Sequence, residues 1–287
     1  MAGTLFVVAT PIGNLGDLTP RGAEALARAD LVLCEDTRHT AGLLHHLGLH
    51  KTTASLHAHN ETDRITSVLE RLHAGEQIAL VSDAGTPCLS DPGARLVDAV
   101  QAAGLDVRTL PGPFAAAAAI AGSGLSPVPF VFWGFLAKKA GERRDQMRQR
   151  LQPGPEGPMT HAFYVPGRDL RDFTEDLQQI VPLARVVLAR ELTKLHEGWL
   201  RGTPSQVLEI LTEEQLRGEA VVLVEVDARS VPTVQVQARP EDLVREARLA
   251  GRDRREALRE IGQKTGLARR ILYSLWLREG GEEDGEA

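Results

Sequence analysis

The amino-acid sequence predicts an α/β protein built from two α/β domains with a small helical module behind them. Three observations lead there. At 287 residues the chain is too long for one small core and suggests about two domains. Short apolar runs alternate with helical segments through the first 125 residues, the pattern of βαβ units around a mostly parallel sheet. A Gly/Pro/Ser cluster at 122–129 then breaks the chain before a second alternation begins.

Taken in order, 5–10 is an apolar strand ending at Pro11, and 21–29 has helical composition. A second strand follows at 31–35, then an amphipathic segment at 40–47. Residues 62–73 place Ile65, Val68, Leu69 and Leu72 at helical spacing. Strand 78–83, helix 94–103 and strand 107–110 complete the first domain, 1–125. Its strands are continuous apolar runs, as expected when both faces are covered. In the second domain, 126–237, strands are expected at 130–135, 162–165, 185–189 and 221–226, with room for antiparallel pairs. Helices are expected at 142–151, 170–180 and 204–216. Residues 227–239 read as a polar linker, 238–278 as helical, and 279–287 as a disordered acidic tail.

A hydrophobic content of 43% rules out wholesale disorder. No apolar run approaches the roughly 20 residues of a membrane helix, so no membrane association is expected. The opening MAGTLFVVATPIG has neither a basic region nor a small-residue cleavage site and is expected to form the first strand. Cys34 and Cys88 lack a CxxC pattern or a histidine at ligand spacing. They suit a reducing cytoplasm, and no metal is expected. The net charge of −6 is uneven. Residues 238–278 hold eleven Lys/Arg against six Asp/Glu, while the tail holds five acids and no bases. A basic segment on an acidic body points to a local polyanion contact, or else to a solvated helical face.

Neither GxGxxG nor GxxxxGK[ST] follows any strand, which excludes the usual dinucleotide and nucleotide-phosphate loops. Instead, Pro/Gly loops stand where strands end: TPIGNL after 5–10, SDAGTP running into SDPG after 78–83, and LPGP after 107–110. One such loop would merely punctuate a turn. Three at successive strand ends point to a ligand site, because glycines there let backbone amides approach a ligand. A fourth loop, Glu35-Asp36-Thr37-Arg38-His39-Thr40, sets two acids, an arginine and a histidine at a strand end, either as site residues or as a helix cap. A fifth, Arg190-Glu191-Leu192-Thr193-Lys194, does the same in the second domain, as site residues or as an exposed edge of alternating charge.

VATPIGNLGDLTPR, CEDTRHT, VSDAGTPCLSDPG, LPGP, RELTK and a following RGT together resemble the ribosomal small-subunit methyltransferase I family. The resemblance runs from Thr4 to about Val226. It implies the tetrapyrrole-methylase architecture, two α/β domains with the cofactor in the cleft between them. It also implies methylation, by S-adenosylmethionine, of the ribose 2′-hydroxyl of a cytidine in small-subunit (16S) ribosomal RNA. The partner would be that RNA within an assembled or nearly assembled subunit, and the protein would be a homodimer.

Carried over position by position, the cofactor contacts are Pro11, then Asp83, Ala84, Gly85, Thr86 and Leu89, then Phe114 and Ala115. From the second domain come Val165, Leu192 and Ala220. The absence of phosphate loops agrees, since a sulfonium needs no phosphate cradle, and an acid such as Asp83 suits a cationic ligand. For the chemistry, Arg38 and Lys194 are candidates to position phosphate or stabilise an oxyanion, with Glu35 or Asp36 as the base; the alternative is that these charges only pair with each other. The chain departs from the family pattern at Phe114, usually serine, and at 163–168, which is one residue shorter and lacks a Glu and a His.

Residues 257–273 resemble a helix-turn-helix with its turn at Gly266, whose second helix carries Arg269 and Arg270 toward RNA. A helical hairpin packed on the body is the alternative there. Two other functions fit parts of the sequence: a small-molecule, tetrapyrrole-type methylase, and a DNA-binding regulator with a ligand-sensing α/β body. The first leaves the basic module without a role, the second the CEDTRHT and RELTK groups.

Overall fold

A computed structural model describes residues 2–57, 60–230, 240–265 and 269–278. The chain divides into two compact units, Met1–Val231 and Pro232–Ala287. The first unit holds two five-stranded sheets.

The first sheet contains β1 (Thr4–Val8), β2 (Leu31–Cys34), β3 (Thr53–Ser55), β4 (Ile78–Val81) and β5 (Asp106–Leu110), in the order β3-β2-β4-β1-β5. Every pairing is parallel. Four helices provide the crossovers: α1 (Pro20–Arg28), α2 (Thr37–His46), α3 (Glu61–His73) and α4 (Ala94–Ala102). Thr19 accepts the Gly22 N–H at 3.1 Å and Pro20 fills the first position of α1, so that helix starts where cap and ring both favour it.

Alternate residues of each strand face opposite layers. Leu5, Val7, Leu33 and Leu80 pack with Val68, Leu72, Leu96 and Val100 of α3 and α4. Val8, Val32, Ala79 and Val81 pack with Ala25 and Leu26 of α1. Both faces are therefore covered, as the unbroken apolar strands require. Cys34 is buried in this second layer, where burial raises its thiol above the ordinary value.

Helix α5 (Ala115–Ser123) leads to the second sheet and packs on it through Ala116, Ala119 and Ile120. The sheet contains β6 (Phe130–Gly134), β7 (Met159–Pro166), β8 (Arg185–Arg190), β9 (Gly198–Gly202) and β10 (Glu219–Val226), in the order β6-β7-β10-β8-β9. Only β6 and β7 run parallel; the other pairs are antiparallel. Its other face carries α6 (Ala140–Arg150), α7 (Leu170–Ile180) and α8 (Pro204–Ile210), which bury Met147, Phe173, Leu177 and Val207 against Phe163, Leu188 and Val222. Between α6 and α7 the Arg143 guanidinium donates to Asp176 at 2.7 Å, both side chains buried.

The helix expected over 204–216 stops at Ile210. A second capping box at Thr212 and Gln215 starts a separate 3₁₀ turn, Glu213–Leu216. Two short edge strands, β3 and β9, were not expected.

The second unit contains α9 (Pro240–Leu249), α10 (Arg254–Thr265) and α11 (Arg269–Arg278), packed through Val244, Ala257, Leu258, Ile261 and Leu272. The expected helical stretch is thus divided, with Gly251 at φ +64° ending the first segment. The Arg248 guanidinium lies 5.5 Å from the centre of the Trp276 ring, and that of Arg254 5.3 Å from the centre of Tyr273. Gly266, most of the 227–239 linker and the acidic tail lie outside the described residues. Among the described residues, no helix is long and apolar enough to cross a membrane.

Candidate functional site

Strand order places the site. The crossover after β1 leads to β2 on one side, whereas the crossover after β4 leads to β5 on the other, so the chain diverges at the carboxyl ends of β1 and β4. The loops leaving these two strands are bridged. The Thr10 N–H donates to the Gly85 carbonyl at 2.8 Å, and the Gly85 N–H returns to the Thr10 carbonyl at 3.0 Å. The Thr10 hydroxyl donates to the Ser82 carbonyl at 3.1 Å, and that of Thr86 to Pro113 at 2.9 Å, which ties in the loop after β5. The three Pro/Gly loops are therefore one connected surface. Gly85 sits at φ +84°, a conformation that disfavours any side chain.

The far end of the β4–α4 loop is held from a distance. The buried Glu61 carboxylate accepts N–H groups from Gly93, Arg95 and Leu96 at 3.1, 3.0 and 3.2 Å. It caps α4, whose own N-cap residue, Gly93, has no side chain to do so.

The opposite wall comes from the second sheet. Because β10 runs antiparallel to both β7 and β8, its first residues meet the ends of those two strands: Glu219 is opposite Pro166, and Ala220 opposite Arg190. The turn after β8 carries two non-glycine residues at positive φ, Glu191 at +47° and Thr193 at +66°. Such conformations cost about 1–3 kcal/mol each and gather at functional sites. The Glu191 carboxylate accepts from Lys194 Nζ at 3.1 Å and from the Glu219 N–H at 3.3 Å. Gly13, from the loop after β1, meets this turn so closely that a Cβ there would overlap the Lys194 side chain and come within 2.9 Å of the Leu192 carbonyl.

Two adjoining cavities, of about 110 and about 550 Å³, lie between these walls. The first is lined by Ala84, Gly85, Ala115, Val165, Leu192 and Ala220. The second is lined by Pro11, Asp83, Ala84, Thr86, Leu89 and Phe114. All eleven expected cofactor positions thus line one cavity or the other, together with Ile12, Phe135, Tyr164, Lys194 and Glu219, which line both.

The inner cavity surface is acidic. Asp83, Asp91 and Glu219 line the larger cavity and Glu191 the smaller. Burial pushes the Asp91 carboxyl up to about 6, and the charges of Glu35, Asp83 and Glu219 add to that rise. Burial likewise pushes the Tyr164 hydroxyl up to about 12. Apolar walls with several carboxylates suit a ligand that carries positive charge beside apolar parts.

The four catalytic candidates separate. Lys194 lines both cavities. Arg38 lines only a neighbouring hollow of about 400 Å³, with Pro11 and Asp83, and its side chain is 90% exposed. Asp36 caps α2 by accepting the Arg38 N–H at 2.8 Å and pairs with the Arg38 side chain at 2.7 Å. These contacts hold its carboxyl down at about 2, where it has little affinity for a proton. Glu35 is exposed and lines none of these hollows. The backbone of this loop still contributes: the Asp36 N–H donates to Asp83 Oδ1 at 3.0 Å and fixes that carboxylate. Of the two expected RNA contacts, Arg270 is exposed on α11, and the Arg269 side chain lies outside what is described.

Residues 4–208 match the family model of Tetrapyrrole (Corrin/Porphyrin) Methylases. Ribosomal RNA small subunit methyltransferase I of Synechocystis sp. is 42% identical over 280 residues, which is 96% of this chain and 98% of that protein. The chain belongs to the ribosomal RNA small subunit methyltransferase I family. Among solved structures, the methyltransferase CobJ shares the fold with this family member at a TM-score of 0.58 and 26% identity, over 79% of this chain and 95% of CobJ. Uroporphyrin-III C-methyl transferase from Thermus thermophilus, complexed with S-adenyl homocysteine, shares the fold alone, at a TM-score of 0.54 and 16% identity over 77% and 97% of the two chains.

Sequence reasoning missed Asp91, Tyr164, Glu219 and Phe135 as parts of the family member's cleft. Asp91 was visible in the SDPG loop. The other three take their place only from strand register and from the turn that ends β6.

Proposed function

We propose that this chain transfers the methyl group of S-adenosylmethionine to the 2′-hydroxyl of a cytidine ribose in small-subunit ribosomal RNA. What carries the reading is the paired acidic and apolar cavity beneath three joined strand-end loops, in a chain 42% identical along 96% of its length to ribosomal RNA small subunit methyltransferase I of Synechocystis sp.. S-adenosylmethionine supplies an electrophilic methyl on a positively charged sulfur. Asp83 and Glu219 hold the cation, while Gly85, Ala84 and Ala115 bring backbone close to it. Leu89, Phe114, Val165, Leu192 and Ala220 cover its apolar parts and exclude water, with Pro11 and Thr86 shaping the loop walls.

The remaining work is alignment of a weakly acidic hydroxyl and removal of its proton. Asp91, with its value near 6, is largely ionised at neutral pH and accepts that proton. Lys194 and, at the outer edge, Arg38 position phosphate or offset developing negative charge. The three C-terminal helices, with Arg270 exposed, add affinity for the RNA backbone, and the assembled or nearly assembled subunit is the substrate. The protein acts in the cytoplasm as a homodimer, with the edge strand β6 and the exposed Val128 beside it as the candidate surface.

Incubation with methyl-labelled cofactor and purified small subunits tests the reading. The expected result is label at one cytidine, in a phosphodiester linkage that resists alkali because its 2′-oxygen is blocked. Label on a base or on a small tetrapyrrole, or no label in the RNA, would overturn it.

A further inference from the structure

A fourth hollow, of about 270 Å³, opens beside the cofactor cavities and shares Phe135, Tyr164 and Val165 with them. Its character is different. In a chain with only seven phenylalanines and two tyrosines, four such rings form a line from the cofactor loop to this hollow. Phe114 meets Phe132 at 5.1 Å, Phe132 meets Tyr164 at 4.9 Å, and Tyr164 meets Phe135 at 5.4 Å, each edge to face. The last ring, Phe135, is 51% exposed.

Its placement is set by the backbone. β6 shifts register between Phe132 and Gly134, and Gly134 takes φ +65°, so the chain leaves the sheet as it reaches Phe135. Such bulges re-aim side chains next to sites. A Cβ on Gly134 would overlap the Ser90 hydroxyl, next to Asp91, which fixes the turn against the cofactor loop.

Charge changes sign along the same line. The cofactor cavities carry Asp83, Asp91, Glu191 and Glu219 against Lys194, whereas this hollow carries Lys138, Arg143 and Arg168 against Asp169. Lys138 and Arg168 are exposed; Arg168 has only a long 3.8 Å approach to Asp169. Arg143 is committed to Asp176 at 2.7 Å. Away from Lys194, a phosphodiester is repelled by the inner acids and attracted by the outer cations. An exposed aromatic face beside cations is what an unstacked base and its phosphate require.

We propose that this hollow receives one unpaired nucleotide of the RNA substrate, its base stacked on Phe135 and its phosphate met by Lys138 and Arg168. The inference rests on the RNA-methylation reading and adds to it where the strand lies.

Steady-state methylation of purified small subunits by the full-length protein tests it, with cofactor affinity followed by calorimetry. Phe135→Ala should raise KM for the subunit roughly 5- to 150-fold, the span of one stacked base. Phe135→Trp should restore it, which a merely structural role would not predict. Lys138→Ala with Arg168→Ala should lower the salt slope of RNA binding by about 0.7 per lost phosphate contact and leave cofactor affinity unchanged. A wild-type KM in Phe135→Ala, or an unchanged salt slope in the double variant, would overturn the placement while RNA methylation by the wild-type protein stands. Failure of the wild-type protein to methylate the subunit would remove the underlying reading as well.

Discussion

The two sheets of the first unit serve one cleft by different means. The all-parallel sheet sends every crossover past the same end, so its loops converge and supply backbone: the Thr10–Gly85 bridge, the Thr86–Pro113 bond, the left-handed Gly85. The mixed sheet alternates direction, so the ends of β6, β7 and β8 and the start of β10 reach the cleft, and these supply side chains: Phe135, Tyr164, Lys194, Glu219. The lesson is a division of labour. Parallel topology builds the backbone surface that grips the cofactor, and antiparallel topology presents individual side chains.

That contrast predicts which substitutions disturb binding and which disturb chemistry. The largest effect is expected at Asp91, the one acid of the parallel-sheet loops assigned to proton transfer. Asp91→Asn should lower turnover roughly 10²- to 10⁴-fold. Its folded-state value lies above the ordinary carboxylate range, so the ionised, proton-accepting form grows as pH rises through about 6. Wild-type turnover should therefore rise across that pH, and single-turnover rates of the variant should lack this limb.

Asp176→Ala tests the mixed sheet's own support. It strands the buried Arg143 without its partner and should cost about 3–5 kcal/mol in denaturant unfolding. Gly85→Leu places a side chain at φ +84° in the cofactor cavity and should weaken cofactor binding at least ~100-fold by calorimetry, with the second sheet unaffected. Lys194→Ala should lower turnover at saturating RNA by roughly 10- to 100-fold with cofactor affinity preserved, and Arg38→Ala by less, given its exposure. If both variants keep wild-type turnover, the side-chain half of the comparison fails.

The parallel half was the more legible in sequence. Leu5, Val7, Leu31, Leu33, Ile78 and Leu80 announce strands because both faces are covered, and Pro/Gly loops mark the ends of β1, β4 and β5. β3, with Thr53-Ala-Ser, and β9, with glycine at each end and one turn of chain between it and β8, carry no such signal. They exist because a neighbouring edge was open to pair with them. Helix α5 hid in an alanine run with no polar face: Ala116, Ala119 and Ile120 pack on the second sheet near Ile12 and Phe114, and its exposed side, at Ala117, Ala118 and Ala121, is alanine too. In the site, glycines and prolines marked the cofactor wall because backbone geometry leaves a residue signature. Charge alone did not distinguish Asp36 of CEDTRHT, a helix cap, from Asp83 of SDAGTP, a cavity residue, because only the fold decides which N–H each carboxylate meets: that of Arg38 for the first, that of Asp36 for the second.

The clasp formed by Glu61 has a bearing on how the molecule tolerates insertion. It fastens one end of the β4–α4 loop, while the Gly85 bridge and the Thr86 hydroxyl fasten the other, so the segment has no slack. An added residue there would have to release one fastening. The exposed turn bridged by Gly154 and Gly157 has no comparable anchorage to the cleft. A tag or fluorophore carried at Pro155 or Glu156 therefore leaves the catalytic surface in register, whereas even a one-residue graft between Ser82 and Gly93 rewrites it.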